Sequence, residues 1–243
     1  MRRANHEIRR GIARALSKVG YCSRSQASKL VSAGQVSVNG RIIRDPEHPV
    51  QTDKNRIQVD GQNVEPVAKV YLMMNKPRGI VTSADDEQGR QTVYSLLPKA
   101  ACWVAPVGRL DKASEGLLLF TNDSDWAARI TDPENHIEKR YHAQISAVAD
   151  QTLLDRLMKG CRAAEGDFLR VKRASLVRTG RKTSWVEIVL DEGKNRHIRR
   201  LLAALNVEVA RLVRIAIGPV MLGDLAKCAI RALTQEEIAA LNE

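Results

Sequence analysis

The stretch PVGRLDKASEGLLLFTND, residues 106–123, constrains this chain more than any other, because it sets a charged loop between two apolar runs. Cys102 to Val107 is apolar enough for a strand, and Leu117 to Phe120 is a second. Between them Gly108 permits a tight backbone, Arg109 and Asp111 are opposite charges one residue apart, and Leu110 can anchor the loop. A loop pinned at both ends by core strands is a rigid mount for a carboxylate. Taken alone, Asp111 serves as readily as a turn or cap residue paired with a nearby base. With no second acid at a recognisable spacing, a catalytic Asp111 would act as a nucleophile or a lone general base.

The wider chain narrows the setting. Among 243 residues, 39 Lys and Arg stand against 28 Asp and Glu, a net charge of +11, while 44% of residues are hydrophobic. A folded chain with such a field suits a polyanion, nucleic acid first and an anionic membrane surface second. Cys22, Cys102, Cys161 and Cys228 lie far apart without CxxC or nearby histidine spacing, which reads as reduced thiols in a cytoplasmic protein. His6, His48, His136, His142 and His197 form no ligand spacing, so no metal site is expected. The basic N-terminus has no apolar run behind it and no window could span a membrane, which argues against a signal peptide and a membrane partner.

Residues 1–65 read as a small module. Ile12, Ala15, Leu16 and Val19 keep helical spacing up to Gly20. A second helix starts at Ser23, with Gln26 placed to complete a capping box, buries Ala27, Leu30 and Val31, and ends at Gly34. QVSVNGRII reads as a hairpin through Asn39-Gly40, and RIQVDG adds a strand before a turn at Asp60-Gly61. The segment carries twelve Lys and Arg against six Asp and Glu. Arg14, Lys18, Arg24 and Lys29 lie on the helical pair, a face able to follow a phosphate backbone without reading bases.

A linker over 66–69 leads to a second domain over 70–235, with 236–243 as a C-terminal tail. Short strands, VEIVL at 186–190 among them, alternate with helices at Trp126–Ile130 and Ile198–Ala204, which points to α+β rather than repeated βαβ units. Residues 171–214 hold eleven Lys and Arg against four Asp and Glu, a second basic concentration.

ALSKVGYCSRSQASKLVSAGQVSVNG, residues 15–40, resembles the small RNA-binding domain of the S4 type. GRLDKASEGLLLFTND resembles the central motif of the RsuA-like ribosomal RNA pseudouridine synthases, and three further segments agree in order: NKPRGIVTS at 75–83, EKRY at 138–141, and EGKNRHIRRLLAAL followed by LVRIAIGPV at 192–205 and 212–220. Four ordered motifs behind an RNA-binding module are far more specific than one GRLD, and the likeness spans nearly the whole chain.

The resemblance implies a catalytic domain built on a mixed, mainly antiparallel sheet. It makes Asp111 the residue that attacks the target uridine, at the sugar carbon or at ring carbon-6. The glycosidic bond breaks, the base turns, and the sugar is rejoined to carbon-5. No atoms are gained or lost, so no cofactor is implied. Arg199 would be the cation paired with Asp111, and Tyr141 would stack on the uracil and could help remove the carbon-5 proton. Ile198 and Leu212 would shape the base pocket beside Leu110. Arg109 would meet the RNA backbone or brace the loop, and the charges of Lys76, Lys139, Lys194, Arg196 and Arg214 could position phosphates. His197 stands where much of the family carries glutamine.

The implied partner is ribosomal RNA or a ribosomal subunit assembly intermediate, met by a monomer that takes a flipped or unstacked uridine. Arg199, where small-subunit enzymes commonly carry lysine, favours the large subunit. The alternatives are a small-subunit enzyme and a non-catalytic assembly protein on the same scaffold.

Overall fold

The computed structural model describes residues 10–84, 86–98 and 102–242. These fall into two compact units, one drawn from residues 10–70, 98–105 and 121–124, the other from 71–97, 106–120 and 125–242.

In the first unit, α1 (Ile12–Lys18) and α2 (Arg24–Ser32) bury Ile12, Ala13, Ala15, Leu16, Ala27 and Val31 against a four-stranded sheet. The N-terminus of α2 is closed reciprocally: Gln26 N donates to Ser23 Oγ and Ser23 N to Gln26 Oε1, both at 3.1 Å. The strands are β1 (Val36–Val38), β2 (Arg41–Ile43), β3 (Ile57–Val59) and β4 (Gln62–Asn63), in the order β2-β1-β3-β4. Asn39 and Gly40 have φ of 50° and 83°, the two positive values a type I′ turn requires, and they join Val38 to Arg41 in register. Asp60-Gly61 repeats the device between β3 and β4.

The second unit is organised on a nine-stranded sheet. Its strands are β5 (Tyr71–Lys76), β6 (Ala105–Val107), β7 (Glu115–Thr121), β8 (Lys139–Ile145), β9 (Arg173–Thr179), β10 (Ser184–Leu190), β11 (Val209–Ile217), β12 (Val220–Met221) and β13 (Ile230–Ala232). The main path runs β9-β10-β8-β11-β7-β5-β13, with β12 beside β11 and β6 beside β7. Pairing is antiparallel along β9-β10-β8-β11 and for β5-β13, but parallel where β11 meets β7. The α+β class and the mixed, mainly antiparallel sheet are as expected from sequence.

Alternation along β8 and β10 turns Ala143, Ile145, Val186, Ile188 and Leu190 toward α4 (Gln151–Lys159) and α5 (His197–Ala204), which bring Leu153, Leu154, Leu157, Leu201 and Leu202 into the same core. A second cluster gathers Met73, Leu117, Leu119, Trp126 and Ile130, the last two from α3 (Ser124–Thr131).

Two boundaries differ from the sequence reading. Val70, read as the first residue of the second domain, belongs to the first unit, and its amide donates to Asn122 Oδ1 at 2.8 Å. The segment 236–243, read as a tail, contains most of α6 (Gln235–Ala240), which opens on a Thr234–Glu237 capping box and carries Leu241 into the second cluster. No described helix is long and apolar enough to cross a membrane.

Candidate active site

Asp111 lies on the loop between β6 and β7, and the backbone of that loop is held at five consecutive carbonyls. Thr82 Oγ1 donates to Leu110 O at 2.8 Å, and Gly79 N donates to Lys112 O at 2.7 Å. Arg199 Nη2 donates to Ala113 O at 3.0 Å. The Lys76 ammonium takes the remaining two, Asp111 O at 3.2 Å and Ser114 O at 2.9 Å, with Pro77 O at 3.1 Å as its third acceptor. Ser114 N closes the turn onto Asp111 O at 2.9 Å. A loop so tied presents Asp111 from one backbone geometry.

Lys76 is fully buried at the end of β5, with no exposed surface. Burial lowers its pKa to about 8; Asp111 and Glu115 oppose that shift and Arg214 adds to it. Three carbonyl acceptors for three N–H donors make it a satisfied buried cation.

Asp111 opens into a cavity of about 310 Å³, near the lower end of the roughly 300–1,000 Å³ usual for small-molecule pockets. Tyr141, Ile198, Leu212 and Arg214 line it with Asp111. Tyr141 reaches it by a register shift: Arg140 pairs with Ala216 but Tyr141 with Arg214, so Ile215 is an extra residue on β11 and Arg214 stands directly across from Tyr141. Gly116 permits the parallel contact on the other side of Arg214, since a Cβ there would collide with the Arg214 carbonyl oxygen. Leu110, Ile198 and Leu212 are 5%, 3% and 6% exposed and supply apolar wall.

The basic residues separate into two kinds. Arg109, Lys194 and Arg196 line the cavity from exposed positions, where a phosphate could meet them. Lys139 also lines it, half-buried, its pKa lowered first by burial and then by Arg214, with Asp191 opposing. In the first unit Arg14 and Lys29 are exposed, Lys18 is half-buried, and exposed Arg24 meets Glu47 at 3.5 Å.

Three expectations are corrected. Lys76 is no phosphate contact, because it is sealed in the protein and bound to the loop backbone. Arg214 is not an open phosphate contact like Arg109; it is 5% exposed and donates through Nε to Leu117 O at 2.7 Å. Arg199 makes no direct ion pair with Asp111: its guanidinium bridges Val209 O and Ala113 O, each at 3.0 Å, and Asp111 acts on it through space, opposing the drop in pKa caused by burial. Arg199 does not line the same cavity but a second one with Glu165, Asp167, Asn195, Arg196, Arg200 and Ala203.

His197 is buried, with Nε2 2.9 Å from Arg170 O and Nδ1 3.5 Å from Glu192; burial lowers its pKa. No metal-ligating cluster occurs among the described residues, and His6 lies outside them. Sequence reasoning missed the roles of Thr82, Gly79 and Gly116. The signal was present in NKPRGIVTS, a run whose polar residues serve another loop's carbonyls.

A charged loop locked at its backbone thus opens beside a tyrosine into a cavity with basic lining, and comparison with known proteins supplies the class. The family model described as RNA pseudouridylate synthase matches residues 70–204, and the S4 domain model matches residues 10–57. The chain belongs to the RNA pseudouridylate synthase family and carries an S4 RNA-binding domain.

Among individual relatives, an uncharacterized RNA pseudouridine synthase of Aquifex aeolicus is 38% identical over 227 residues, covering 93% of this chain and 91% of that one. The ribosomal large subunit pseudouridine synthase B of Bacillus subtilis is 33% identical over 230 residues, covering 94% of each. A crystal structure of a pseudouridylate synthase superimposes with a TM-score of 0.67 at 28% identity, covering 96% of this chain and 99% of that one.

Proposed function

We propose that this enzyme converts a specific uridine of large-subunit ribosomal RNA to pseudouridine, with Asp111 as nucleophile. The observation that carries the reading is the joint presence of Asp111 and Tyr141 on the wall of one cavity whose rim is basic. Two relatives, of Bacillus subtilis and Haemophilus influenzae, bear the name ribosomal large subunit pseudouridine synthase B, which supports the choice of subunit.

The S4 domain holds RNA through backbone contacts at Arg14, Lys18, Arg24 and Lys29, and Arg109, Lys194 and Arg196 position phosphates at the cavity mouth. One uridine leaves the stack and its base enters between the apolar wall of Leu110, Ile198 and Leu212 and the ring of Tyr141. Asp111 attacks, the glycosidic bond breaks, the uracil turns in the pocket, carbon-5 bonds to the sugar, and loss of the carbon-5 proton completes the isomerisation. Residues 1–65 form the RNA-binding part, 66–69 the linker and 70–235 the catalytic part of this reading.

Two measurements test it. Ribosomal RNA from cells with and without the gene should differ at a large-subunit pseudouridine, and the purified protein should release tritium from carbon-5-labelled uridine in that RNA. A difference confined to small-subunit RNA would move the assignment of subunit. Tight RNA binding without tritium release from either subunit's RNA would remove the catalytic one.

A further inference from the structure

Arg214 is a buried cation whose partners within the protein do not account for its charge. It is 5% exposed, Nε reaches a neutral carbonyl on Leu117, and the buried Nη2 has no acceptor. No carboxylate among the described residues is in ion-pair contact with it. Glu115, on the strand beside it, is already held by Arg211 at 3.1 and 3.2 Å and by Lys227 at 3.1 Å. Lys76 and Lys139 both feel its positive charge as repulsion. Removing a guanidinium from water without a counter-charge is unfavourable, so a fold that does so beside a cavity has a use for the charge there.

We infer that Arg214 is a further catalytic residue, the electrostatic stabiliser of the negative charge that develops on the uracil ring. The inference rests on the pseudouridine synthase reading. Placement argues for the base rather than a phosphate: Arg214 lies across from Tyr141 on the cavity wall and is 5% exposed, whereas Arg109, Lys194 and Arg196 are the exposed cations a hydrated phosphate would meet first.

Electron bookkeeping gives the same demand by either route. If Asp111 attacks the sugar carbon, an aspartyl–carbon bond forms as the bond from that carbon to ring nitrogen-1 breaks, and the bonding pair leaves with uracil as a ring anion. If Asp111 adds to carbon-6, the carbon-5–carbon-6 π pair moves onto carbon-5 and the conjugated oxygen. In both cases charge appears on the ring and its oxygens, and no proton moves in that step. A fixed guanidinium in a water-poor site lowers the energy of that anion far more than of neutral uracil.

The test compares Arg214→Met and Arg214→Lys with the parent enzyme by single-turnover tritium release and by RNA binding. Arg214→Met should slow release by roughly 100- to 1,000-fold, the scale of removing one oxyanion donor, with RNA affinity changed less than about threefold. Arg214→Lys, which keeps the charge on a shorter reach, should recover part of the rate and stands in for the methionine variant if that one does not fold. Parent-like release from Arg214→Met, a lysine variant no faster than the methionine one, or a loss of affinity large enough to explain the slower rate would overturn the inference. Absence of release from the parent enzyme itself would instead strike the functional reading on which it rests.

Discussion

The two units use the same residue types in opposite ways. In the S4 domain Arg14, Arg24 and Lys29 are exposed, Lys18 is half-buried, and the fold is held by an apolar core. In the catalytic unit Lys76 and Arg214 are buried and Arg199 is half-buried, and all three donate to backbone carbonyls. A charge available to solvent costs little and can follow an RNA backbone. A charge withdrawn from solvent must find partners, and here those partners are the carbonyls that shape the Asp111 loop and the strand behind it.

Mutations in the two units should therefore separate catalysis from capture. Apart from loss of Asp111 or Arg214 themselves, the largest effect should come from Lys76→Met, which removes two of the five carbonyl anchors of the loop and leaves them buried. Displacement of a reacting group by about 1 Å can cost about 100-fold, and a loss of that order in single-turnover rate with RNA affinity retained is expected. A variant that keeps its rate would show the anchors to be dispensable.

The titration of Lys76 sharpens the point. Charged, it has three N–H donors for three carbonyls; neutral, it has two. The rate should therefore fall as pH rises through about 8. Its contribution to stability runs the other way. The folded state gives up this proton more readily than the unfolded chain, so between pH 8 and the ordinary lysine value of 10.5 this group alone makes stability rise with pH. Rate profiles and thermal melts over that window, compared with Lys76→Met, should diverge in sign. A parallel fall in both would contradict the assignment.

A smaller effect is expected from replacing Arg14, Lys18, Arg24 and Lys29 together by alanine. Turnover of bound RNA should persist while affinity weakens. The log–log salt slope should become shallower by about 3, at roughly 0.7–0.9 for each phosphate that is no longer neutralised. An unchanged slope would place RNA elsewhere.

The smallest effect should follow His197→Gln. Glutamine can still donate to Arg170 O, so stability near neutral pH should change by less than about 1 kcal/mol. Because burial depresses the His197 pKa against the opposing pull of Glu192, with Lys194 and Arg200 adding to the drop, the unfolded chain binds the proton more readily. The parent should lose stability as pH falls below 6.5, and the variant should lack that loss. Identical melting curves at pH 5.5 would refute this.

The contrast also marks what a sequence can disclose. Turns and caps are local, so Ser23 with Gln26 and Asn39-Gly40 are legible from residue order alone. Asp111 stands out only through the resemblance its motif carries, since a charged loop between two apolar runs leaves turn and cap roles open. The destination of a buried cation is not local: Lys76 meets Ser114, 38 residues away, and Arg214 meets Leu117, 97 residues away. Periodicity carries no signal of such partners, so both read as cations able to position phosphates. The register shift that sets Tyr141 against Arg214 depends on pairing across strands and is equally hidden.

Single-turnover tritium release by Asp111→Asn, alongside RNA binding by the same preparation, tests the central claim most directly. With the carboxylate gone and the loop backbone intact, release should drop by on the order of 10⁴-fold or more while RNA affinity stays near that of the parent enzyme. Release within a few fold of the parent enzyme would contradict the claim that the carboxylate at 111 attacks the uridine.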